Sequence, residues 1–448
     1  MRSTSALLPS LLALGLLLAR PALAWSDHTL GTREALSVLP EVARATVQAE
    51  PLEGFLEDQA PQLAGLLEEE ERWARQQLTA YPPRPDALAF HAGGDRAGLR
   101  QRFLAALRVN PQSRLGLFVQ AAPGQEVAAA DRLDWREVTA LHGAGEVSRN
   151  GYRRLAAGEP VAALEVVATA ADEPDYGLDV GLWADNGTDW GRRYGFGAQP
   201  FGNPALEYSS QAPFHMGFFH EASVIYAAAG FLRRTYPEVR VHLYRALAAQ
   251  AFRSGHRYWG WRFAGWALHY VQDLTQPYHA RVLPGVGVVR MLWINALDLM
   301  GAHGAMRAAV TLVSNRHLVL EDYQCQLLRG ALAAGRVEDP LRRALQDTSG
   351  DGALPGFDDG TVRQEISRQA HAAADGLDEA LAHSFPARYT SDPAFAYDDA
   401  EDPAGLAALA GAGGPAARQA LDTLLEVQLR AFGRASRALV RALPVPKS

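Results

Sequence analysis

An all-α fold is predicted by three features of the 448-residue chain: apolar residues recur at helical spacing, Ala, Leu, Arg and Glu dominate beyond residue 25, and no stretch alternates long enough to suggest a large sheet. The 48% apolar content is ample for a buried core and excludes disordered, collagen-like and repeat-array chains.

Taken in order, residues 1–24 read as a secretory signal, with Arg2 as the charge, an apolar run from Ala6 to Ala19, and the small residues Ala22 and Ala24 before a cut at Trp25. The expectation is an exported chain, periplasmic or extracellular, whose residues 25–448 form a single all-α catalytic domain. No later stretch reaches the roughly 18 continuous apolar residues of a membrane span. Leu63, Leu66, Leu67, Ala74 and Leu78 make one helical stripe. Short strands are expected around Val161 to Val167, and the irregular stretch from Tyr176 to Pro213 is too long for a plain connection and reads as a functional loop. Val239–Phe252 and Arg257–Tyr270 read as two helices divided at Ser254-Gly255, and Leu421 to Leu439 as a terminal amphipathic helix.

Lys and Arg number 43 against 50 Asp and Glu, a net charge of −7 that becomes −9 without Arg2 and Arg20. That balance argues against a broad basic surface, so no stable nucleic-acid partner is expected. One cysteine, Cys325, excludes an intramolecular disulfide and leaves packing or metal to stabilise the chain.

The chemistry lies among thirteen histidines. His269 and Asp273 are four apart on a predicted helix, so both leave the same face and can share an ion. Pro277 stops that helix and turns His279 toward a neighbouring ion. His317 and Glu321 repeat the four-residue spacing further on. A lone His-x-x-x-Glu marks a solvated ion pair more often than a ligand set, but the joint pattern is far more specific.

These residues resemble the zinc-dependent phospholipase C family, whose relatives include zinc-dependent single-strand nucleases. Trp25 after the cleavage site, His28, the run His269-x3-Asp273-x5-His279 and the pair His317-x3-Glu321 carry the resemblance, over about half of the chain. It implies an all-α, phospholipase C-like multi-helix domain with two to three zinc ions, and cleavage of a phosphodiester by a metal-activated water. It further implies that His269, Asp273 and an upstream Asp and His hold one zinc; that Trp25, through its amino and carbonyl groups, His28 and bridging Asp273 hold a second; and that His279, His317 and Glu321 hold a third. The upstream carboxylate is Asp175 or Asp185, with Asp175 preferred and expected to orient or deprotonate the attacking water; the upstream imidazole is His215 or His220. Insertions relative to the family fall near 50–170 and 281–313. The lone cysteine and Glu321 favour the phospholipase side, so a phospholipid or other phosphodiester is the expected substrate.

Two other readings stay open. A nuclease needs a stacking platform, for which Trp183, Trp190, Tyr194 and Phe196 are candidates, and a non-catalytic secreted binding protein would keep zinc for stability alone. The segment Val282–Val313 is either an amphipathic helix on the core or a cover over the zinc cleft that touches lipid. Asp347, Ser349, Asp351 and Asp358 occupy positions 1, 3, 5 and 12 of a calcium-loop pattern with glycine at position 6, although a plain acidic turn fits as well. The remaining histidines (His91, His142, His242, His256, His303, His371 and His383) are assigned to surface or core.

Overall fold

The chain divides where its pattern predicts: Gly255, at φ +88°, ends one long helix and lets the next begin two residues later. The computed structural model describes residues 27–143, 145–397 and 405–446, so residues 1–24, expected to be a signal segment, and Trp25 lie outside the described residues. Helix accounts for 60% and strand for 3%, which makes the class all-α.

The helices that build the site are α1 (His28–Leu36), α2 (Leu52–Gln77), α3 (Leu99–Leu107), α4 (Ala163–Asp172), α5 (Glu207–His215), α6 (Ser223–Ala228) and α7 (Pro237–Arg253). They continue with α8 (Arg257–Asp273), α9 (Pro277–Ala280), α10 (Val288–Leu299), α11 (Gly304–Ala333), α12 (Pro340–Gln346), α13 (Arg368–Ser384) and α14 (Pro415–Arg441). Among the described residues, strand structure is confined to two small antiparallel sheets: β1 (Thr46–Gln48) with β5 (Pro160–Ala162), and β4 (Tyr152–Arg154) between β2 (Phe118–Gln120) and β3 (Arg132–Leu133). The strand expected at Val161 to Val167 is thus only its first part; from Ala163 the chain is helical, because Val166, Val167 and Ala170 bury one face against α8. Pro213, expected to close a loop, sits inside α5.

α8 is the axis. All its residues from Tyr258 to Asp273 are buried, as an all-round apolar helix must be. Two of its members share one partner: Arg262 bridges Glu173 at 2.7 Å and Trp266 Nε1 donates to Glu173 Oε2 at 2.5 Å. Gly265 allows the close approach of α4, since a Cβ there would meet Ala170 Cβ at 2.5 Å and the Val167 carbonyl oxygen at 2.6 Å.

Phe55 and Phe103 pack on Phe263 of α8, at ring separations of 5.5 and 6.4 Å, so α2 and α3 belong to the main core. A second core gathers α11, α12, α13 and α14, and α1 lies between the two, against α4 on one side and α12 and α14 on the other. The side chains of chemical interest lie along this seam.

Candidate metal centre

α1 begins the site. Thr29 N donates to Asp172 Oδ1 at 3.1 Å and Thr29 Oγ1 to the Ala168 carbonyl at 3.0 Å, which satisfies helix-start donors and docks α1 on α4. His28, fully buried, consequently faces α8. After α4 the chain makes one π-helical turn, Pro174–Leu178, containing Gly177 at φ +110°, and this turn presents Asp175. π-turns of this kind recur at functional sites. The C-terminal end of α5 delivers His215, α8 delivers His269 and Asp273, the short α9 delivers His279, and α11 delivers His317 and Glu321.

Three ligand groups result, each with its atoms within 4.8 Å of one another: His28, His269 and Asp273; Asp175, His215 and His269; His279, His317 and Glu321. Asp273 joins them. Its Oδ2 lies 3.0 Å from His215 Nδ1 and 3.3 Å from His269 Nε2, while its Oδ1 lies 3.5 Å from His28 Nε2 and 3.4 Å from His279 Nδ1. His269 Nε2 and His215 Nδ1 are 2.9 Å apart, and His279 Nε2 and His317 Nε2 are 3.0 Å apart.

The donor set fits a cation. The His269 Nδ1–H donates to the Ala171 carbonyl at 2.7 Å and the His279 Nδ1–H to the His215 carbonyl at 3.2 Å, which leaves each Nε2 lone pair facing inward. His28 Nδ1 is held by Gln272 Oε1 at 2.8 Å with the same effect. His215 Nε2 faces Asp179 at 3.6 Å, and Asp179 is itself held by Arg240 and Tyr270, each at 2.6 Å. His28 Nε2, Asp175 Oδ1, Asp273 Oδ1 and Glu321 Oε2 are buried with no hydrogen-bond partner. Orphaned acceptors converging in a buried space need a positive charge.

The electrostatics of the metal-free chain agree. Burial pushes Asp175 up to about 8 and Glu321 up to about 7, and drives His317 down to about 4. Against the same burial, Asp273 lifts His28 to about 9, and Asp179 and Asp273 lift His215 to about 10. Charges that conflict in this way are reconciled by bound cations.

Of the two open pairs, the structure brings in Asp175 and His215. Asp185 is an exposed loop residue whose carboxylate accepts from Gln199 N at 3.0 Å, so it is no ligand. His220, also expected as a possible ligand, is half-buried and its Nε2–H donates to the Arg363 carbonyl at 2.9 Å, because the turn after Met216 carries it toward α13. The calcium-loop expectation is corrected as well. Asp351 is bound by Arg437 and Arg441, Asp347 accepts from Ser349 N, and Asp358 accepts from Thr361, so these oxygens point to separate partners. Trp183 and Phe196 are buried and pack with Phe214 and Tyr236, Tyr194 is buried with its hydroxyl donating to the Val109 carbonyl at 2.8 Å, and Trp190 is half-buried with its Nε1–H on the Val180 carbonyl, so the four form no exposed stack. His142, His242, His256 and His303 each pair with a carboxylate away from the centre.

Sequence reasoning missed the supporting layer: Asp172, Asp179, Arg240, Gln272, and Gln276, whose Nε2 donates to Glu321 Oε1 at 3.3 Å. Asp179 stands four residues after Asp175, and Gln272 adjoins Asp273, so proximity to a ligand was the one available signal. Compared with protein-family models, with curated proteins and with solved structures, the chain matches none.

Proposed function

We propose that the chain is an exported zinc-dependent phosphodiester hydrolase, phospholipase C-like in fold and action. The observation that carries this is the Asp273 carboxylate set between three ligand groups, each oxygen facing two imidazoles. Clustered His and carboxylate donors suit zinc, and adjacent sites suit a substrate whose oxygens spread charge over several ions. Zinc bound there would lower the pKa of a water to about 7 and draw charge from phosphoryl oxygens.

The protein's own contribution is positional. Asp273, His215, His269 and His28 hold one end of the centre and His279, His317 and Glu321 the other. Asp175 is the one ligand carboxylate with appreciable exposure, its side chain 19% accessible against 0% for Asp273 and 1% for Glu321. It is therefore the group placed to meet an entering water and to orient it or take its proton. Arg240 and Tyr270, through Asp179, fix the His215 ring.

The test is a panel of phosphatidylcholine, bis-p-nitrophenyl phosphate and single-stranded DNA, each with zinc-loaded and chelator-treated protein. The expected result is hydrolysis of a phosphodiester other than DNA, abolished by chelation and restored by zinc. Zinc binding with no hydrolysis of any of the three would favour the non-catalytic binding protein.

A further inference from the structure

The third ligand group is fastened from outside the metal centre. His279 follows Tyr278 in the chain, His317 follows Arg316, and one buried carboxylate holds both of these neighbours: Asp378 of α13 accepts from the Tyr278 hydroxyl at Oδ1, 2.8 Å away, and pairs with the Arg316 guanidinium at Oδ2. Asp378 thereby ties α9 to α11, the two helices whose imidazoles stand 3.0 Å apart at Nε2.

The Tyr278 ring carries this tie to a ligand. It stacks on the His317 imidazole, with ring centroids 5.5 Å and planes 17° apart. Both of its ends are fixed, the backbone N–H on Gln276 Oε1 at 3.2 Å and the hydroxyl on Asp378. A ring anchored in this way limits how far the His317 ring can turn, as partners behind a metal ligand do.

The same carboxylate meets the strap that leaves α9. Gly285, at φ +74°, lies so close that a Cβ there would stand 2.3 Å from Asp378 Oδ2, so only glycine fits. Three residues earlier on α13, Asp375 pairs with Arg281 at 2.8 Å and accepts from Gly285 N at 2.8 Å. Glu221 accepts from Val282 N at 2.9 Å. Residues 281–285, the start of segment 281–313, are thus seated against the carboxylate that sets Tyr278 and Arg316.

We propose that Asp378 is the positioning residue of the third ligand group, and that the seating of residues 281–285 on α13 governs, through it, how tightly that group holds its ion. The hold on the ion rests on the zinc reading; the positioning of His317 rests on the contacts alone. Without the carboxylate, the Tyr278 hydroxyl loses its acceptor and Arg316 its counter-charge, so both helices are freed at the residue next to a ligand.

Zinc titration of the full chain against a competing chelator tests the hold on the ion. Asp378→Asn is expected to weaken one ion by about 10- to 100-fold and to leave the others unchanged. Tyr278→Phe, which deletes only the hydroxyl, and Gly285→Ala, which presses on the carboxylate from the strap, are expected to weaken the same ion. In a His317→Ala chain, which lacks that ion, none of these substitutions should lower the affinity for those that remain. NMR of the His317 ring protons in the protein as purified tests the positioning: each substitution is expected to move these signals, which lie in the Tyr278 ring current, and to leave those of His269 in place. Unchanged affinity for every ion in both Asp378→Asn and Tyr278→Phe, or a weakening shared by all ions as a general loss of stability would give, overturns the proposal. Effects in those two with none in Gly285→Ala keep Asp378 and overturn the part given to the strap. A wild-type chain that binds no zinc overturns the zinc reading, and the ring signals then decide alone: moved His317 signals keep Asp378 as the positioning residue, and unmoved ones overturn it.

Discussion

His28 and Gln272 meet side chain to side chain, and the amide sets which imidazole nitrogen is free. Ser436 Oγ donates to the Phe432 carbonyl at 2.8 Å, so toward Gln272 Nε2, 3.1 Å away, it can only accept. The Gln272 NH2 group therefore points at Ser436 and Thr32 and its Oε1 at His28 Nδ1–H, which turns His28 Nε2 toward Asp273 and leaves that nitrogen for a metal once it is deprotonated. Gln272→Leu is expected to weaken one zinc by about 10- to 100-fold while sparing the rest. Zinc titration against a competing chelator checks this; unchanged affinity for every ion would show that the amide does not orient His28.

Asp273→Asn is predicted to be the most damaging single change, because both carboxylate oxygens face ligand imidazoles. Zinc content should fall to about one ion per chain, the one held by His279, His317 and Glu321, and activity by more than about 100-fold. His317→Ala, confined to one group, should leave the other ions in place. Equal metal loss in the two variants would contradict the bridging role.

Zinc binding should release protons. In the metal-free chain Asp273 and its neighbours, outweighing burial, hold His28 at about 9 and His215 at about 10, so both imidazoles are protonated at pH 7. Zinc takes the neutral form, so its affinity should rise with pH through neutrality and level off above about 10. With Asp175 at about 8 and Glu321 at about 7 also carrying protons, calorimetry in buffers of different ionisation enthalpy should show about three protons released per chain at pH 7. No release would mean that these rings are neutral before metal arrives.

Gly265→Ala should destabilise the chain by about 1–3 kcal/mol, since the new methyl must push α4 from α8. His269 lies one turn further along α8, and its Nδ1 is anchored on Ala171 of α4, so metal affinity should fall together with stability. Denaturant unfolding of zinc-loaded and zinc-free protein separates the two effects. A variant that loses stability but keeps full zinc affinity would show that the helix spacing does not govern the centre.

His269, Asp273, His279, His317 and Glu321 were legible in the sequence because helical period and a proline stop fix where their side chains point. The division of α7 from α8 at Gly255 was legible for the same local reason. Asp175 and His215 were preferred to Asp185 and His220 but not fixed, since a π-turn, an irregular loop and the end of α5 place them, and no periodicity governs those. The acidic turn at Asp351 imitated a calcium loop because its true partners, Arg437 and Arg441, lie about 90 residues away on α14. The roles of Asp179, Arg240 and Gln272 exist only once α4, α7, α8 and α14 have packed. The strands at Phe118–Gln120 and Tyr152–Arg154 were likewise hidden, being three residues each.

We propose that this seam of imidazoles and carboxylates is built for zinc. Elemental analysis of gently purified protein, repeated after dialysis against chelator and again after zinc is restored, tests it most directly. Two to three zinc ions per chain are predicted, with loss of helical signal on removal and recovery on return. Fewer than one zinc per chain, or helical signal and stability indifferent to chelation, would contradict it.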